Sequence, residues 1–166
     1  ASLQGDIKFA DVLEQMGCEV SWASDAVIVQ GRPLRGIEVD MSEISDTVQT
    51  LAAVALFADG PTKIYGVEHN RFKETDRIRD LATELRRVGA IVDEQRDGLT
   101  IIPRTLNGAV VETYNDHRMA MSMSLVGLRI AEVWIDNPAC TAKTYPHFFE
   151  DMQRHLGLHC QWRASV

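Results

Sequence analysis

An internal repeat with a period of about 70 residues limits the fold of this chain more than any other feature of its sequence. Val12-Leu13-Glu14-Gln15-Met16-Gly17, followed by Cys18 to Gln30, matches Glu84-Leu85-Arg86-Arg87-Val88-Gly89, followed by Ala90 to Ile102. Leu13 aligns with Leu85, Gly17 with Gly89, Val20 with Val92, Asp25 with Asp97 and Val29 with Ile101. Each copy reads as a helix stopped by a C-terminal Gly, the residue that most easily takes the left-handed backbone of a helix end. A hairpin of two short strands should follow, turning at Ser24-Asp25 in one copy and at Asp97-Gly98 in the other.

The stretches between and after the hairpins also match. Gly36 to Asp40 is β-rich and leads to a helix starting near Asp46; Ala109 to Tyr114 leads to one starting near Asp116. Strands follow at Thr62 to Val67 and Glu132 to Asp136, then helices at Thr75 to Val88 and Tyr145 to Leu156. The last helix again meets a Gly, Gly157, with an expected strand at Leu158 to Trp162. A period this long exceeds that of solenoid repeats, so the chain reads as α+β, built from repeated βαβαββ units. The helix spanning Thr47 to Phe57 is apolar nearly all round (Val48, Leu51, Ala52, Val54, Ala55, Leu56), which predicts helices inside and sheets outside.

Composition excludes several classes of function. With 166 residues, 45% hydrophobic and 25% charged, the chain has the makings of one soluble domain or two small lobes. Its net charge of −7 argues against a nucleic-acid or membrane surface, which needs excess Lys and Arg. Any anion site must therefore come from a local cluster of cations. Cys18, Cys140 and Cys160 are too few and scattered for a disulfide framework or a zinc site, and read as small buried hydrophobes. The longest apolar run, Leu51 to Ala58, is too short to span a bilayer, and no basic region precedes an apolar run near Ala1. A cytoplasmic location is the expectation. Ser2-Leu3-Gln4-Gly5-Asp6 runs straight into an amphipathic pattern (Ile7, Ala10, Val12, Leu13, Met16), so the chain reads as starting in mid-fold.

Four polar segments stand at strand-to-helix turns. Arg71-Phe72-Lys73-Glu74-Thr75-Asp76-Arg77 opens one helix, with Thr75 as its expected N-cap and Lys73 and Arg77 spaced to face an anion together. Tyr114-Asn115-Asp116-His117-Arg118-Met119 opens another, where free N–H groups and the fork of Arg118 suit an anion. Asp116 reads equally as a plain N-cap there. Cys140-Thr141-Ala142-Lys143-Thr144-Tyr145-Pro146 and Ile44-Ser45-Asp46-Thr47 are weaker taken singly, the latter suggesting an ordinary capping Asp. Because the repeat puts these turns in equivalent places, Lys73, Arg77, Arg118 and Lys143 are expected to converge on one positive pocket, with Asp46 and Glu74 beside it.

These segments, in this order over nearly the whole chain from Leu3-Gln4-Gly5-Asp6 onward, resemble the C-terminal part of the 3-phosphoshikimate 1-carboxyvinyltransferases, or EPSP synthases. The resemblance implies an incomplete inside-out α/β barrel of the enolpyruvyl transferase type, residues 1–166 supplying about two of the three βαβαββ units of the C-terminal domain. It implies transfer of the enolpyruvyl group from phosphoenolpyruvate to the 5-hydroxyl of shikimate 3-phosphate, without metal or organic cofactor, by a full-length protein that is a monomer. Asp46 then looks like the proton acceptor for that hydroxyl and Glu74 the group that transfers the proton at the methylene. Lys73 looks like a shikimate 3-phosphate ligand; Arg77, Arg118 and Lys143 look like phosphoenolpyruvate ligands, with His117 near the site.

One departure concerns His69, which stands where the family carries Asn, with Asn70 following. Either His69 replaces that amide as a ligand or the loop has drifted. The other departure is length: the family's N-terminal domain, and the Ser-Ser-Gln phosphate site of the second, have no counterpart here, so the chain alone is expected not to turn over. Alternative readings are a UDP-N-acetylglucosamine enolpyruvyl transferase and a non-catalytic phosphate-binding module of the same fold.

Overall fold

The structure, a computed structural model, describes residues 4–158 and 160–162. A 3₁₀ turn at Gly5–Lys8 leads into α1 (Phe9–Gln15), which buries Ala10 and Val12 and ends at Gly17 with φ 111°. Strands β1 (Glu19–Trp22) and β2 (Val27–Gln30) then pair antiparallel around the expected turn. The following unit is complete. It runs β3 (Glu38–Asp40), a 3₁₀ segment Ser42–Thr47, α2 (Val48–Ala55), β4 (Thr62–Tyr65), a 3₁₀ segment Glu68–Phe72 and α3 (Arg77–Arg87). The hairpin β5 (Ile91–Gln95) and β6 (Gly98–Ile102) closes it. The second pass gives β7 (Ala109–Val111), α4 (His117–Ser124), β8 (Val133–Ile135), a 3₁₀ segment Pro138–Lys143 and α5 (Phe148–Leu156), ended by left-handed Gly157.

Sheet topology expresses the repeat. β3 and β4 are parallel, joined across α2, and β6 pairs antiparallel with β4 and with β5, giving the order β3-β4-β6-β5. β7 and β8 repeat the parallel pair, joined across α4. β2 is the counterpart of β6, yet among the described residues it pairs only with β1. Leu99 and Ile101 of β6 are consequently buried, whereas Ile28 and Val29 of β2 are exposed.

Burial follows from the pattern. α2 hides Val48, Gln49, Leu51, Ala52, Ala53 and Ala55, because it packs on both α3 and α4. It is an internal helix, as its apolar circumference requires. α3 is amphipathic instead, turning Ile78, Leu81, Ala82 and Leu85 inward and Arg79, Thr83 and Arg86 out. Each large apolar side chain so buried contributes about 1.5–3 kcal/mol.

Several boundaries differ from expectation. The β5–β6 turn is Arg96-Asp97, and Gly98 is the first residue of β6, opposite Gln95. Its lack of a side chain is a packing requirement, since a Cβ there would overlap the Ile64 carbonyl oxygen and lie 2.9 Å from the Tyr65 Cα. The N-cap of α3 is Asp76, whose carboxylate accepts from the Arg79 N–H at 3.0 Å, while the Thr75 hydroxyl turns to Asp80. α5 starts at Phe148, because Pro146 disfavours helical backbone at Tyr145. Among the described residues of 158–162 no strand forms, since a strand takes its hydrogen bonds from elsewhere in the chain and local propensity alone does not supply them; His159 is outside the described residues. Cys18 is buried as expected, whereas Cys140 and Cys160 are half-buried. No described helix is long and apolar enough to cross a membrane.

Candidate active site

The polar turns meet around the guanidinium of Arg77, which opens α3 and is only 1% exposed. Its Nε donates to Asp116 Oδ2 at 2.6 Å, Nη2 to Glu74 Oε2 at 2.7 Å and Nη1 to Asp46 Oδ1 at 3.2 Å. Arg118 Nη2 donates to Asp46 Oδ2 at 2.8 Å, and its Nη1 to the Asp46 carbonyl at 3.0 Å. Lys73 Nζ lies 3.1 Å from Asp46 Oδ1, and Lys143 Nζ lies 3.0 Å from Glu74 Oε1. Four cations thus face three carboxylates, a local balance of 4 − 3 = +1 inside an acidic chain.

Local backbone aims each group. Tyr114 and Asn115, at φ 52° and 57°, make a left-handed turn that delivers Asp116 to the start of α4. There Asp116 accepts from the Arg118 N–H at 2.8 Å while its other contacts hold Arg77. Asp46 lies in the 3₁₀ segment before α2 and caps nothing, so its carboxylate is free for the cations. Behind it the buried Asn70 donates from Nδ2 to the Ser45 carbonyl at 2.9 Å.

Electrostatics follow from these contacts. Burial pushes the Asp46 carboxyl up, but the Lys73 hydrogen bond and the charges of Arg118, Lys73 and Arg77 outweigh it and hold the group below its ordinary value. Glu74 is held at about 2, chiefly by its hydrogen bond to Lys143, against a smaller effect of burial and with help from Arg77. Burial depresses His117, which is therefore a neutral imidazole at pH 7; its Nδ1 has no hydrogen-bond partner. The Glu74 contribution has a defined sign. A depressed carboxylate stabilises the fold above its unfolded value of 4.5 and loses that effect as pH falls toward 2. Glu74→Gln should accordingly flatten the dependence of stability on pH across that window, measured by urea unfolding at a series of pH values. Parallel curves for variant and parent would show that the Lys143–Glu74 pair is not formed in solution.

Of the residues singled out in the sequence, Asp46, Lys73, Glu74, Arg77, Arg118 and Lys143 come together in one network, and His117 stands beside Asp116. His69 does not join them. It is exposed and lines a hollow of about 550 Å³ with Gly66, Glu68, Phe72 and Asp97. Asp116 had an ordinary sequence explanation as a cap, and nothing in the sequence signals that its carboxylate also neutralises Arg77. Asn70 supports the Asp46 segment from within, a role equally silent in the sequence. Among the described residues no group of His, Cys, Asp and Glu is placed to hold a metal ion.

The sequence profile of the EPSP synthase (3-phosphoshikimate 1-carboxyvinyltransferase) family matches residues 1–152. The chain belongs to this family. It is 52% identical over 149 residues to the 3-phosphoshikimate 1-carboxyvinyltransferase of Nostoc punctiforme, a match covering 89% of this chain and 35% of that protein. With the enzyme of the same name from Trichormus variabilis it shares 50% over 157 residues, covering 94% of this chain and 37% of the relative. EPSP synthase from Acinetobacter baumannii superposes with a TM-score of 0.74 at 28% identity, over 87% of this chain and 37% of that one. The enolpyruvyl transferase NikO from Streptomyces tendae superposes at 0.70 with 25% identity, over 90% of this chain and 35% of that one. The incomplete enolpyruvyl transferase architecture is therefore the fold, and the chain spans little more than a third of the length of these family members.

Proposed function

We propose that the chain forms one wall of a site that transfers the enolpyruvyl group from phosphoenolpyruvate to the 5-hydroxyl of shikimate 3-phosphate, releasing phosphate. On this reading it corresponds to about two of the three units of an EPSP synthase C-terminal domain. The observation that carries the proposal is the pair of carboxylates, Asp46 and Glu74, set on different donors of one buried Arg77 among three further cations. A protein that only bound phosphate would gain nothing from carboxylates competing for its cations.

The two carboxylates suit the two proton movements. As the hydroxyl oxygen attacks C2 of phosphoenolpyruvate, Asp46 takes the hydroxyl proton and the methylene carbon gains a proton from protonated Glu74. The tetrahedral intermediate then expels phosphate, which carries away the proton held by Asp46, and Glu74 removes a proton from the methyl group to restore the enol ether. Acid and base catalysis of this kind is worth about 10²–10⁴-fold for each well-placed group. Arg118, Lys143 and Arg77 neutralise the donor's carboxylate and departing phosphate. Lys73, with the exposed His69 on the same loop, serves the acceptor.

Within the network Asp46 and Glu74 occupy donors that substrate anions would take. While Lys143 and Arg77 hold Glu74 it is too acidic to be protonated near neutral pH. An anion drawing Lys143 and Arg77 away lets its affinity for a proton return to the ordinary carboxylate range. The anion's own negative charge beside it raises that affinity further, so Glu74 takes up a proton more readily when the donor arrives.

The test is an NMR titration of the chain with phosphoenolpyruvate. Shifts should concentrate at Arg77, Arg118 and Lys143, with Kd about millimolar because one wall alone supplies the contacts. Asp46→Asn should bind at least as well, since it removes a competitor for Arg118 and Lys73. The chain alone should release no phosphate when both substrates are present. In a complete family member carrying this segment, the same substitution should keep binding and lose turnover by about 10²–10⁴-fold. Phosphoenolpyruvate that leaves the Arg77 cluster unperturbed at tens of millimolar ends the proposal.

A further inference from the structure

The turn that delivers Asp116 and Arg118 is gripped from behind by one residue outside the ion network, Glu84. Glu84 lies seven positions beyond Arg77 on α3, two helical turns along the same face, and is fully buried. Its Oε1 accepts from the Tyr114 hydroxyl at 2.8 Å, and its Oε2 accepts from the Glu112 N–H at 3.1 Å. Both donors belong to the short stretch that ends in left-handed Tyr114 and Asn115, a conformation non-glycine residues rarely adopt and keep only when surrounding contacts enforce it. α3 therefore holds the segment 112–118 at two points: Arg77 grips Asp116 beyond the turn, and Glu84 grips Glu112 and Tyr114 before it.

We propose that Glu84 and Tyr114 are positioning residues, a clamp that keeps the Tyr114-Asn115 turn left-handed and so aims Asp116 at Arg77 and Arg118 at the anion. Arg87 Nε, 3.4 Å from Glu84 Oε2, is the nearest cation to the buried carboxylate, and burial raises the proton affinity of Glu84. Packing alone would be served as well by an apolar pair of similar shape. The value of the polar pair is direction: two acceptors on one rigid helical side chain fix both the strand end and the ring. The anion-binding consequence rests on the function proposed above; the clamp itself does not.

The experiment is a double-mutant cycle in the chain with Glu84→Gln and Tyr114→Phe, and Tyr145→Phe as a control that removes an exposed hydroxyl bonded to Asp151 at 2.9 Å. Three quantities are read: amide hydrogen exchange at Arg118 and Glu112, the Kd for phosphoenolpyruvate, and Tm. Tyr114→Phe should speed exchange at Arg118 and weaken phosphoenolpyruvate binding, each about tenfold, the factor one lost hydrogen bond of ordinary strength allows. Its Tm should stay within a few degrees of the Tyr145→Phe control, which should alter neither exchange at Arg118 nor binding. Glu84→Gln should act in the same direction and the pair should be non-additive, because both residues hold one turn. If Glu84→Gln unfolds the chain, Tyr114→Phe decides alone. Parent-like exchange at Arg118 in Tyr114→Phe, or full additivity in the cycle, overturns the clamp. If the parent itself fails to bind phosphoenolpyruvate, the proposed function falls, while the exchange rates still decide whether the clamp exists.

Discussion

Asp116→Asn is expected to lower the free energy of unfolding by about 3 kcal/mol, the lower end of the range for breaking a buried ion pair. Asn caps helices about as well as Asp, so the start of α4 keeps its hydrogen bond and the loss reports the charge alone. Arg77 is 1% exposed and its shortest contact is to Asp116, itself fully buried, so water cannot replace the missing carboxylate. The loss falls short of the upper range because Asp46 and Glu74 still face the guanidinium. Asp116→Ala should cost about 1 kcal/mol more through the lost cap. Urea unfolding of the three proteins checks this, and a loss under about 1 kcal/mol for Asp116→Asn would mean that Arg77 does not depend on Asp116.

Gly98→Ala should be comparably damaging through a different cause. The backbone of β6 passes so close to β4 that an added methyl would overlap the Ile64 carbonyl oxygen, and backbone cannot move aside as a flexible side chain can. Pushing β6 away breaks the antiparallel pairing of Thr62, Lys63 and Ile64 with Ile101, Thr100 and Leu99, and opens the sheet over Leu99 and Ile101. Overpacking of this severity costs about 3 kcal/mol, which for a chain of this size lowers Tm by about 6–12 °C. Gly31→Ala is the matched control, since nothing lies within 4 Å of the added Cβ, and it should fall within about 0.5 kcal/mol of the parent. Equal melting temperatures for the two variants would disprove the close approach of β6 to β4.

Gly98 and Asp76 show where sequence reading stops. A Gly after an Asp is a good turn signal, but turn and close backbone approach both call for Gly, and only the neighbouring strand distinguishes them. Thr75 and Asp76 are both good caps, and the choice fell to Asp76 because Arg71 also binds its carboxylate. At Leu158 to Trp162 local propensity favoured a strand and the described residues form none, since strands, unlike helices, take their hydrogen bonds from elsewhere in the chain.

The period of about 70 residues, the helix-ending glycines and the apolar circumference of α2 determined the order of elements, the internal helices and the equivalence of the polar turns. These are local or periodic properties, readable without knowing what lies across the fold. The type and order of the polar segments likewise carried the family. Only the tertiary structure decided that Asp116 neutralises Arg77, that Asn70 braces the Asp46 segment while His69 lies outside the network, and that Glu84 reaches Tyr114. Those pairings join residues 25 to 39 positions apart, and their strength depends on burial and angle, which no spacing along the chain records.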